Sequence, residues 1–431
     1  MLLIYTHKIT PRFTYIMKHL FGKILGIEVT LTTKVEDFIK HSEAKITYSK
    51  QPLQNEFFIR SNDLLYQQGI SDLEINISDW DGTPCFFATG ERSNIPFDVF
   101  AASFYLISRY EEYLPHVKDA HGRYPVKESL AYKYKFLEKP VVDIWMYKLL
   151  AALLEQFPDL EHKRQTYKYT SVIDVTTSHC YAHRGLLRSA GGLLLDLVTL
   201  KFKRVFQRVS VWFNPKKDPY NNFDHLISLH KKNNVKSMFF FQFADYSTFD
   251  KNVSTSNNKF RYLIKSVADY SVVSLAASYN SFSNIEILKE EKRKLGAVVN
   301  RPIKYVRFRY NRVEIPTTYK ELVDADFSED FTMGYTHCIG FRAGTCSPFS
   351  FYDIHLESQQ PIKIHPFAVH NYALGSLKNE KQISIKLDSV YQELKKVNGK
   401  LITIFSNELL GKKQRINWMR VYENVIKKYN V

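Results

Sequence analysis

The chain has little of what marks disulfide-rich, zinc-binding or membrane-spanning proteins. It has 431 residues but only four cysteines, and no two of these form a C-x-x-C pair. This disfavours a structural zinc site and a disulfide framework, and it indicates a reducing compartment. No stretch approaches the ~20 consecutive apolar residues of a membrane span. Lysines and arginines interrupt the N-terminal apolar runs, so no signal-peptide core is expected. We therefore expect a cytoplasmic protein whose cysteines are ordinary thiols.

Glycine and proline are modest in number, and the charge is unbalanced. The 16 glycines and 15 prolines accompany 45% hydrophobic and 15% aromatic residues, a composition that excludes disordered and fibrous proteins. The net charge is +16, but the lysines are spread along the chain without a basic tail. This favours a basic solvated surface over a nucleic-acid partner. Residues 184–217 combine an apolar run with lysines and arginines. They predict either a helix in weak contact with a membrane surface or an ordinary surface helix.

The first part of the chain predicts a small mixed α/β domain over residues 1–165. Strands are expected in "KILGIEVTLTT", "KITYSK" and "LEINIS", and a turn is expected at "DWDGTP". Apolar residues at helical spacing predict helices over 97–114 and 141–157. The polar segment 159–168 is the expected boundary between the two domains.

Residues 166–431 alternate between strand and helix patterns, which is typical of parallel βαβ units. Seven strands are expected, enough to close a (β/α) barrel. They are "YTSVIDV", "VKSMFFFQF", "SVVSLAAS", "IKYVRFRY", "CIGFRA", "PIKIHPFAV" and "GKLITIFSN". Functional sites of such folds lie at the carboxyl ends of the strands. The first strand brings Asp174 and then Thr176 to that end.

Seven segments along nearly the whole chain carry a resemblance to a known family. They are "PFDVFAASFYLISRYEEY" (96–113), "HGRYPVKESLAYKYKFLEKPVVDIW" (121–145), "KDPYNNFDHL" (217–226), "SYNS" (278–281), "DFTMGY" (330–335), "GFRAGT" (340–345) and "NWMRVYENVIKKY" (417–429). No single segment is decisive, but their shared order is specific. Together they resemble the polysaccharide deacetylase (NodB-homology) family, and more narrowly a Bacteroidetes-type branch with its own N-terminal domain. The resemblance implies an irregular (β/α) barrel preceded by a smaller domain.

The resemblance also implies metal-assisted N-deacetylation of sugars, with an Asp–His–His set that holds zinc, an Asp base and a His acid. Asp174 matches the base, and Arg307 matches the arginine of the third motif. Thr176 stands in place of the metal-binding Asp, and Ala276 and Arg309 stand in place of motif histidines. Ser406 replaces the acid histidine, whereas Asn407 beside it is retained.

These departures predict a pseudoenzyme without a metal cofactor. Alanine offers no ligand atom, and an arginine repels a cation. No histidine lies between His230 and His337, so the motif strands there hold no shifted ligand. His179 and His183 are the remaining candidates for a substitute site with Asp174, if the segment is helical. The simpler interpretation is an exposed loop. His365 and His370 are five residues apart and would face opposite sides of a strand.

Several roles remain open for the other polar residues. Arg309 either pairs with Asp174 and occupies the space of the missing metal site, or contributes to a site for an anion or an acidic sugar. The candidate members of that site are Arg307, Arg309, Arg312, Arg342, Tyr279 and Asn407. His121 and Arg123 are expected to be structural.

The expected function is glycan binding or assistance to a partner enzyme in surface-polysaccharide metabolism. The alternatives are an active carbohydrate deacetylase that uses Asp174 with a non-standard ligand set, and a basic adaptor at a membrane surface.

Overall fold

A computed structural model describes residues 1–412 and 415–431. The N-terminal part contains a four-stranded parallel sheet in the order β2-β1-β3-β4. Its strands are β1 (Leu2–Tyr5), β2 (Val29–Thr32), β3 (Lys45–Ser49) and β4 (Phe57–Arg60). A two-stranded antiparallel hairpin, β5 (Ile77–Trp80) and β6 (Thr83–Phe86), follows. Asp81 and Gly82, both with positive φ, form the turn predicted at "DWDGTP".

Five helices pack around this sheet. They are α1 (Pro11–Met17), α2 (Val35–Lys40), α3 (Val99–Ile107), α4 (Leu130–Lys133) and α5 (Val141–Gln156). The helix α3 begins at Asp98, whose carboxylate accepts hydrogen bonds from the amides of Phe100 and Ala101. It is shorter than the predicted 97–114. The start of the predicted strand "KILGIEVTLTT" is wrong, because α1 continues as a π-helical segment over Lys18–Leu25.

The rest of the chain is built on a nine-stranded sheet in the order β12-β13-β11-β10-β9-β8-β7-β15-β14. Neighbouring strands are parallel except β12 and β13. The strands are β7 (Lys168–Val175), β8 (Ser237–Phe241), β9 (Val272–Ala277), β10 (Tyr305–Phe308), β11 (Glu329–Asp330), β12 (Phe349–Asp353), β13 (Ser358–Ile364), β14 (Val369–His370) and β15 (Lys400–Ser406). The mixed α/β class predicted from the sequence is confirmed.

The large sheet is strongly curled. Phe240 on β8 and Phe331, directly after β11, are three strand steps apart, which is roughly 14 Å in a flat sheet. Their ring centroids are only 5.5 Å apart. Apolar side chains from β7, β8, β9 and β15 form one cluster with these rings inside the curl. The sheet therefore encloses its own small core, and the polar residues at its carboxyl edge point toward one another.

In the part of the chain that the structure describes, ten α-helices accompany this sheet. They are α6 (Leu186–Val198), α7 (Phe202–Phe213), α8 (Phe223–Lys232), α9 (Asn258–Ala268), α10 (Ile285–Val299), α11 (Thr317–Asp324), α12 (Asn371–Leu374), α13 (Glu380–Lys396), α14 (Asn407–Gly411) and α15 (Trp418–Tyr429). The predicted single helix in 184–217 is two helices, α6 and α7. Within the described ranges, no helix combines the length and apolarity needed to cross a membrane.

One hydrophobic core runs from Leu2 to Tyr429 and joins the small sheet to the large one. Hydrogen bonds also join the two parts of the chain. The buried carboxylate of Asp143 accepts from the hydroxyl of Thr345 at 2.7 Å and from that of Ser347 at 2.6 Å. The division of the chain at 165/166 stays a prediction.

The predicted strand "CIGFRA" (338–343) is wrong. The segment is irregular, and its backbone amides bond to scattered carbonyls instead of a ladder. The amide of Gly340 donates to Ala368 and that of Phe341 donates to Leu137. Gly340 has φ +137°, and a side chain there would collide with the backbone of Leu137.

Candidate functional site

A cavity of about 290 Å³ opens at the carboxyl edge of the curled sheet. Strand alternation puts every second residue on the inner face, and the register pairs Ser406 with Asp174 and Arg307 with Ala276. Larger clefts lie elsewhere on the molecule, but the residues singled out from the sequence converge here. Those that line the cavity are Asp174, Thr176, Ala276, Arg307, Arg309 and Ser406. Their roles stay predictions.

Asp174 is held by Arg307, and not by Arg309 as one sequence interpretation required. The Nε of Arg307 donates to both carboxylate oxygens, at 2.8 and 2.9 Å. Its Nη1 donates to the Phe331 carbonyl at 2.9 Å, and its Nη2 donates to Asn311 Oδ1 at 2.5 Å. Burial raises the pKa of Asp174, and the charge and hydrogen bond of Arg307 oppose this shift. The arginine thereby fixes the carboxylate in one orientation.

Arg309 lies in the cavity with two partners that the sequence reasoning missed. Its Nη1 donates to Gln242 Oε1 at 2.9 Å and to Asp250 Oδ1 at 3.3 Å. Gln242 also donates its amide to Asp250, and the backbone amide of Tyr279 donates to both oxygens of that carboxylate. Gln242 could have been found, because it follows the inward-facing Phe240 by two positions at the end of β8. Asp250 lies in a loop, where no strand period indicates which side chains face the cavity.

Thr176 and Ser406 are occupied by local contacts. The hydroxyl of Thr176 donates to Glu408 Oε1 at 2.6 Å, and Glu408 also lines the cavity. Ser406 caps α14: its Oγ accepts from the Leu409 amide at 3.3 Å and from Asn371 Nδ2 at 3.2 Å. Ser406, at the position where the resemblance implies an acid histidine, therefore caps a helix.

His370 is the histidine that lies nearest to Asp174. Its Nδ1 accepts the Tyr372 amide at 3.2 Å, so the proton of the neutral ring is on Nε2. Nε2 lies 3.9 Å from Asp174 Oδ2. Burial, with the charges of Arg307 and His337, holds the pKa of His370 well below its ordinary value. The ring is neutral at pH 7 and adds a donor to the cavity wall.

His365 and His370 lie apart, but not because they alternate on one strand. The predicted strand "PIKIHPFAV" is divided between β13 and β14, which lie at separate places in the sheet. His365 bonds to Glu329, with its Nε2 at 2.6 Å from Oε2, and its ring stacks on Phe331 at 4.4 Å. This contact belongs to a different part of the inner core.

The segment 176–185 is a loop and not the helix that a His179–His183 metal pair required. The rings lie 5.0 Å apart, but His179 is buried, which corrects the prediction of an exposed loop. Burial lowers the pKa of His179 to about 4. The loop folds inward at Asp218, whose carboxylate accepts hydrogen bonds from the backbone amides of Cys180, Tyr181 and Ala182 at 2.8–2.9 Å.

Arg342 and Asn407 do not contact the cavity, which contradicts their prediction as anion or substrate contacts. Arg342 is buried against Glu112, with Nη2–Oε2 at 2.6 Å. The side-chain amide of Asn407 donates to the carbonyls of Thr177 and Tyr220 and holds two loops together.

An aromatic cluster lies at the rim of the cavity. Tyr279, predicted as a substrate contact, packs with Phe249 against Tyr310 but does not itself line the cavity. The Tyr279 ring stacks on Phe249 at 4.0 Å, and His121 stacks on Tyr310 at 4.7 Å. His121 and Tyr310 line the cavity. Arg123 does so too, and its Nη1 donates to the Tyr310 carbonyl at 2.7 Å. The residues expected to be only structural, His121 and Arg123, therefore reach the site from the N-terminal part. Arg312 lies over Tyr279 at 4.2 Å, behind the rim.

The cavity does not fit a divalent metal. In the part of the chain that the structure describes, no three His, Cys, Asp or Glu side chains converge in a metal-binding arrangement. Asp174 already accepts two hydrogen bonds from a cation, and the Arg309 guanidinium lies in the same cavity. A zinc ion there would face the fixed positive charges of Arg307 and Arg309, and the carboxylate of Asp174 is already paired with Arg307.

Comparisons with known proteins give one partial family match and distant structural neighbours. A family of unknown function (DUF7033) matches residues 2–158. No curated protein matches in sequence.

The structural neighbours include a protein from Mycobacterium smegmatis assigned as a polysaccharide deacetylase, with 12% identity and TM-score 0.42 over 62% of this chain and 84% of that one. A CE4 family pseudoenzyme from Bacillus anthracis has 11% identity and TM-score 0.30 over 62% and 64%. A polysaccharide deacetylase from Bacillus cereus has 10% identity and TM-score 0.30 over 61% and 86%. The chain is thus similar, at low identity, to deacetylases and to pseudoenzymes of that family.

Proposed function

We propose that this chain is a polysaccharide deacetylase-like pseudoenzyme that binds a glycan in the strand-end cavity and acts beside a partner enzyme of surface-polysaccharide metabolism. In this proposal residues 166–431 form the irregular (β/α) barrel that the resemblance implies. The observation that carries it is Arg309. Its guanidinium lies in the cavity, at a position where the resembled motif has a histidine, and is held there by Gln242 and Asp250.

The contacts of Arg309 favour a site with new, paired polar groups over a site that has only lost its metal ligands. Gln242 and Asp250 both accept hydrogen bonds from Nη1 of Arg309, and the Asp250 carboxylate also accepts from Gln242 and from the Tyr279 amide. A buried charge without such partners would be costly. Asp174 is satisfied in the same way by Arg307. The cavity therefore presents oriented polar groups without a metal.

The shape and lining of the cavity suit a sugar. About 290 Å³ is at the lower end of the range of small-molecule sites, which combine apolar walls with a few placed polar groups. Sugars present hydroxyls to such groups and stack their C–H faces on aromatic rings. His121 and Tyr310 offer rings at the cavity wall, and Phe249 and Tyr279 extend the aromatic surface outward.

The aromatic rim gives the test of glycan binding. We expect Phe249→Ala, which removes a partly exposed ring at the rim, to weaken binding of an oligosaccharide at least about tenfold, the loss of roughly 1.5 kcal/mol of stacking. Calorimetric titration of N-acetylated, deacetylated and acidic oligosaccharides measures it and identifies the sugar class.

Tyr262→Ala is the matched control, because Tyr262 is an exposed ring on α9, whereas Phe249 packs against Tyr279 and Tyr310 beside the cavity. It should leave the affinity unchanged. Glycan binding that Phe249→Ala and Tyr262→Ala affect equally would contradict the assignment to this cavity, and the absence of binding to all three classes would contradict the proposal.

One observation favours the competing function, hydrolysis of N-acetylated sugars. Asp174, which matches the family's base, still lines the cavity. This function requires a ligand set that the described residues do not offer.

A further inference from the structure

The hairpin formed by α6 and α7 turns apolar side chains to solvent and packs a charged pair inside. Asp196 of α6 and Arg208 of α7 form an ion pair at 2.8 Å, and both side chains are nearly buried. Gly192 lets the two helices approach, because a Cβ at this position would lie 2.7 Å from the Arg208 guanidinium. The exposed side chains include Leu187, Leu194, Val198, Phe202, Phe206 and Phe213.

This arrangement is the reverse of what a surface helix of a soluble protein adopts, with its apolar stripe toward the core. Phe202, Phe206 and Phe213 follow one another at spacings of four and seven residues, so they share one face of α7. They are 55%, 76% and 88% exposed, and Leu187 on α6 is 91% exposed. A contiguous apolar patch of this kind marks an interaction surface.

The charges around the patch identify the partner. Residues 184–217 contain eight lysines and arginines but a single carboxylate, Asp196, which Arg208 already neutralises. Lys201, Lys203 and Arg204 lie at the tip of the hairpin and at the start of α7, and all three are exposed. A second copy of the same surface would bring these cations against each other. An anionic surface would pair with them.

We propose that the α6–α7 hairpin docks on an anionic lipid bilayer, with the apolar face in the boundary between headgroups and acyl chains and the cations at the lipid phosphates. Amphipathic helices with large apolar side chains on one face and lysines or arginines on the other bind bilayers in this way. The hairpin is also attached to the cavity end of the sheet. Arg188 lies 3.6 Å over the Tyr246 ring and donates to the Asn252 carbonyl. These residues belong to the loop that carries Asp250.

Vesicle flotation tests this proposal with the full chain. We expect binding to vesicles of phosphatidylcholine with about one-third phosphatidylglycerol, weakened by salt, and little binding to phosphatidylcholine alone. The variant Phe202→Ser/Phe206→Ser/Phe213→Ser should lower the partition coefficient at least about tenfold. Lys201→Gln/Lys203→Gln/Arg204→Gln should lower it by about fivefold per cation, and only on the anionic vesicles.

A triple variant of exposed apolar residues on other elements, Tyr262→Ser/Tyr270→Ser/Ile385→Ser, is the matched control and should bind as the parent does. All the substituted side chains are exposed, so unfolding transitions should be unchanged. Three results would overturn the proposal. They are no binding to either vesicle, equal binding to both, and unchanged binding of the phenylalanine variant. Light scattering that shows a dimer, lost in the phenylalanine variant, would assign the patch to a second copy instead.

Discussion

Glu112→Gln is expected to lower the free energy of unfolding by about 3 kcal/mol at pH 7. Glu112 Oε1 accepts from the Nε of Arg109 and from the Nε of Arg342, both at 2.8 Å, and all three side chains are 2% exposed. Burial alone would raise the pKa of Glu112, but the charges of Arg342 and Arg109 lower it to about 2. A shift of this size corresponds to about 3 kcal/mol, and removal of one partner from a buried ion pair costs a similar amount.

The pH dependence of this effect has a definite sign. A carboxyl group whose folded pKa is depressed contributes stability that is present above its unfolded pKa and is lost as pH falls toward the folded value. The difference between parent and Glu112→Gln should therefore shrink between about pH 4.5 and pH 2 in urea titrations. Glu290→Gln removes an exposed ion pair with Arg293 and should leave stability unchanged. Equal stability of Glu112→Gln and the parent, or a difference independent of pH, would show that the ion pairs of Glu112 with Arg109 and Arg342 do not stabilise the folded chain.

Introducing the metal ligands that the resemblance implies is expected to create a zinc site. The variant Thr176→Asp/Ala276→His/Arg309→His replaces three residues that line the same cavity and removes one of its fixed positive charges. A carboxylate and two imidazoles are a common three-ligand zinc set that leaves an open position. With zinc at a hundredfold excess over its Kd, binding should stabilise the folded state by about 2.7 kcal/mol. Thermal unfolding with zinc and with a chelator measures the gain.

The control variant Thr176→Asn/Ala276→Asn/Arg309→Asn changes the same positions without supplying carboxylate or imidazole ligands. It should show no zinc-dependent shift, and neither should the parent. A folded ligand-restored variant without a zinc-dependent shift would mean that these positions do not converge as the structure places them. An equal shift in the parent would mean that a metal site already exists.

The residues that strand alternation governs could be predicted from the sequence. Asp174 and Thr176 at the end of one strand, with Arg307 and Arg309 at the end of another, follow the two-residue period and reach one cavity. This prediction needs only the local pattern and the rule that sites lie at strand ends. The mixed α/β class followed from the same alternation of elements.

The partners of these residues could not be predicted, because tertiary contacts select them. Arg309 bonds to Asp250 instead of Asp174, since the loop after β8 brings that carboxylate into the cavity. Arg342 was expected at a strand end, but its segment is irregular and its guanidinium is paired with Glu112, which lies 230 residues away in the chain. The spacing of residues along the sequence does not indicate such a distant ion pair.

Long-range backbone contacts explain the remaining misses. His179 belongs to a polar stretch that favours an exposed loop. It is buried because the Asp218 carboxylate accepts hydrogen bonds from the three backbone amides that follow it, those of residues 180–182. His121 and Arg123 lie in the N-terminal part, and their arrival at the cavity depends on how that part packs against the large sheet.

The most direct test of the central claim is acetate release from an N-acetylated oligosaccharide by the parent protein in the presence of zinc, with binding of the same sugar followed by calorimetry. If the protein is a glycan-binding pseudoenzyme, the sugar should bind, and acetate should not be released above the rate measured without protein. Zinc-dependent acetate release that Asp174→Asn abolishes would contradict it, and would assign the cavity to an active deacetylase.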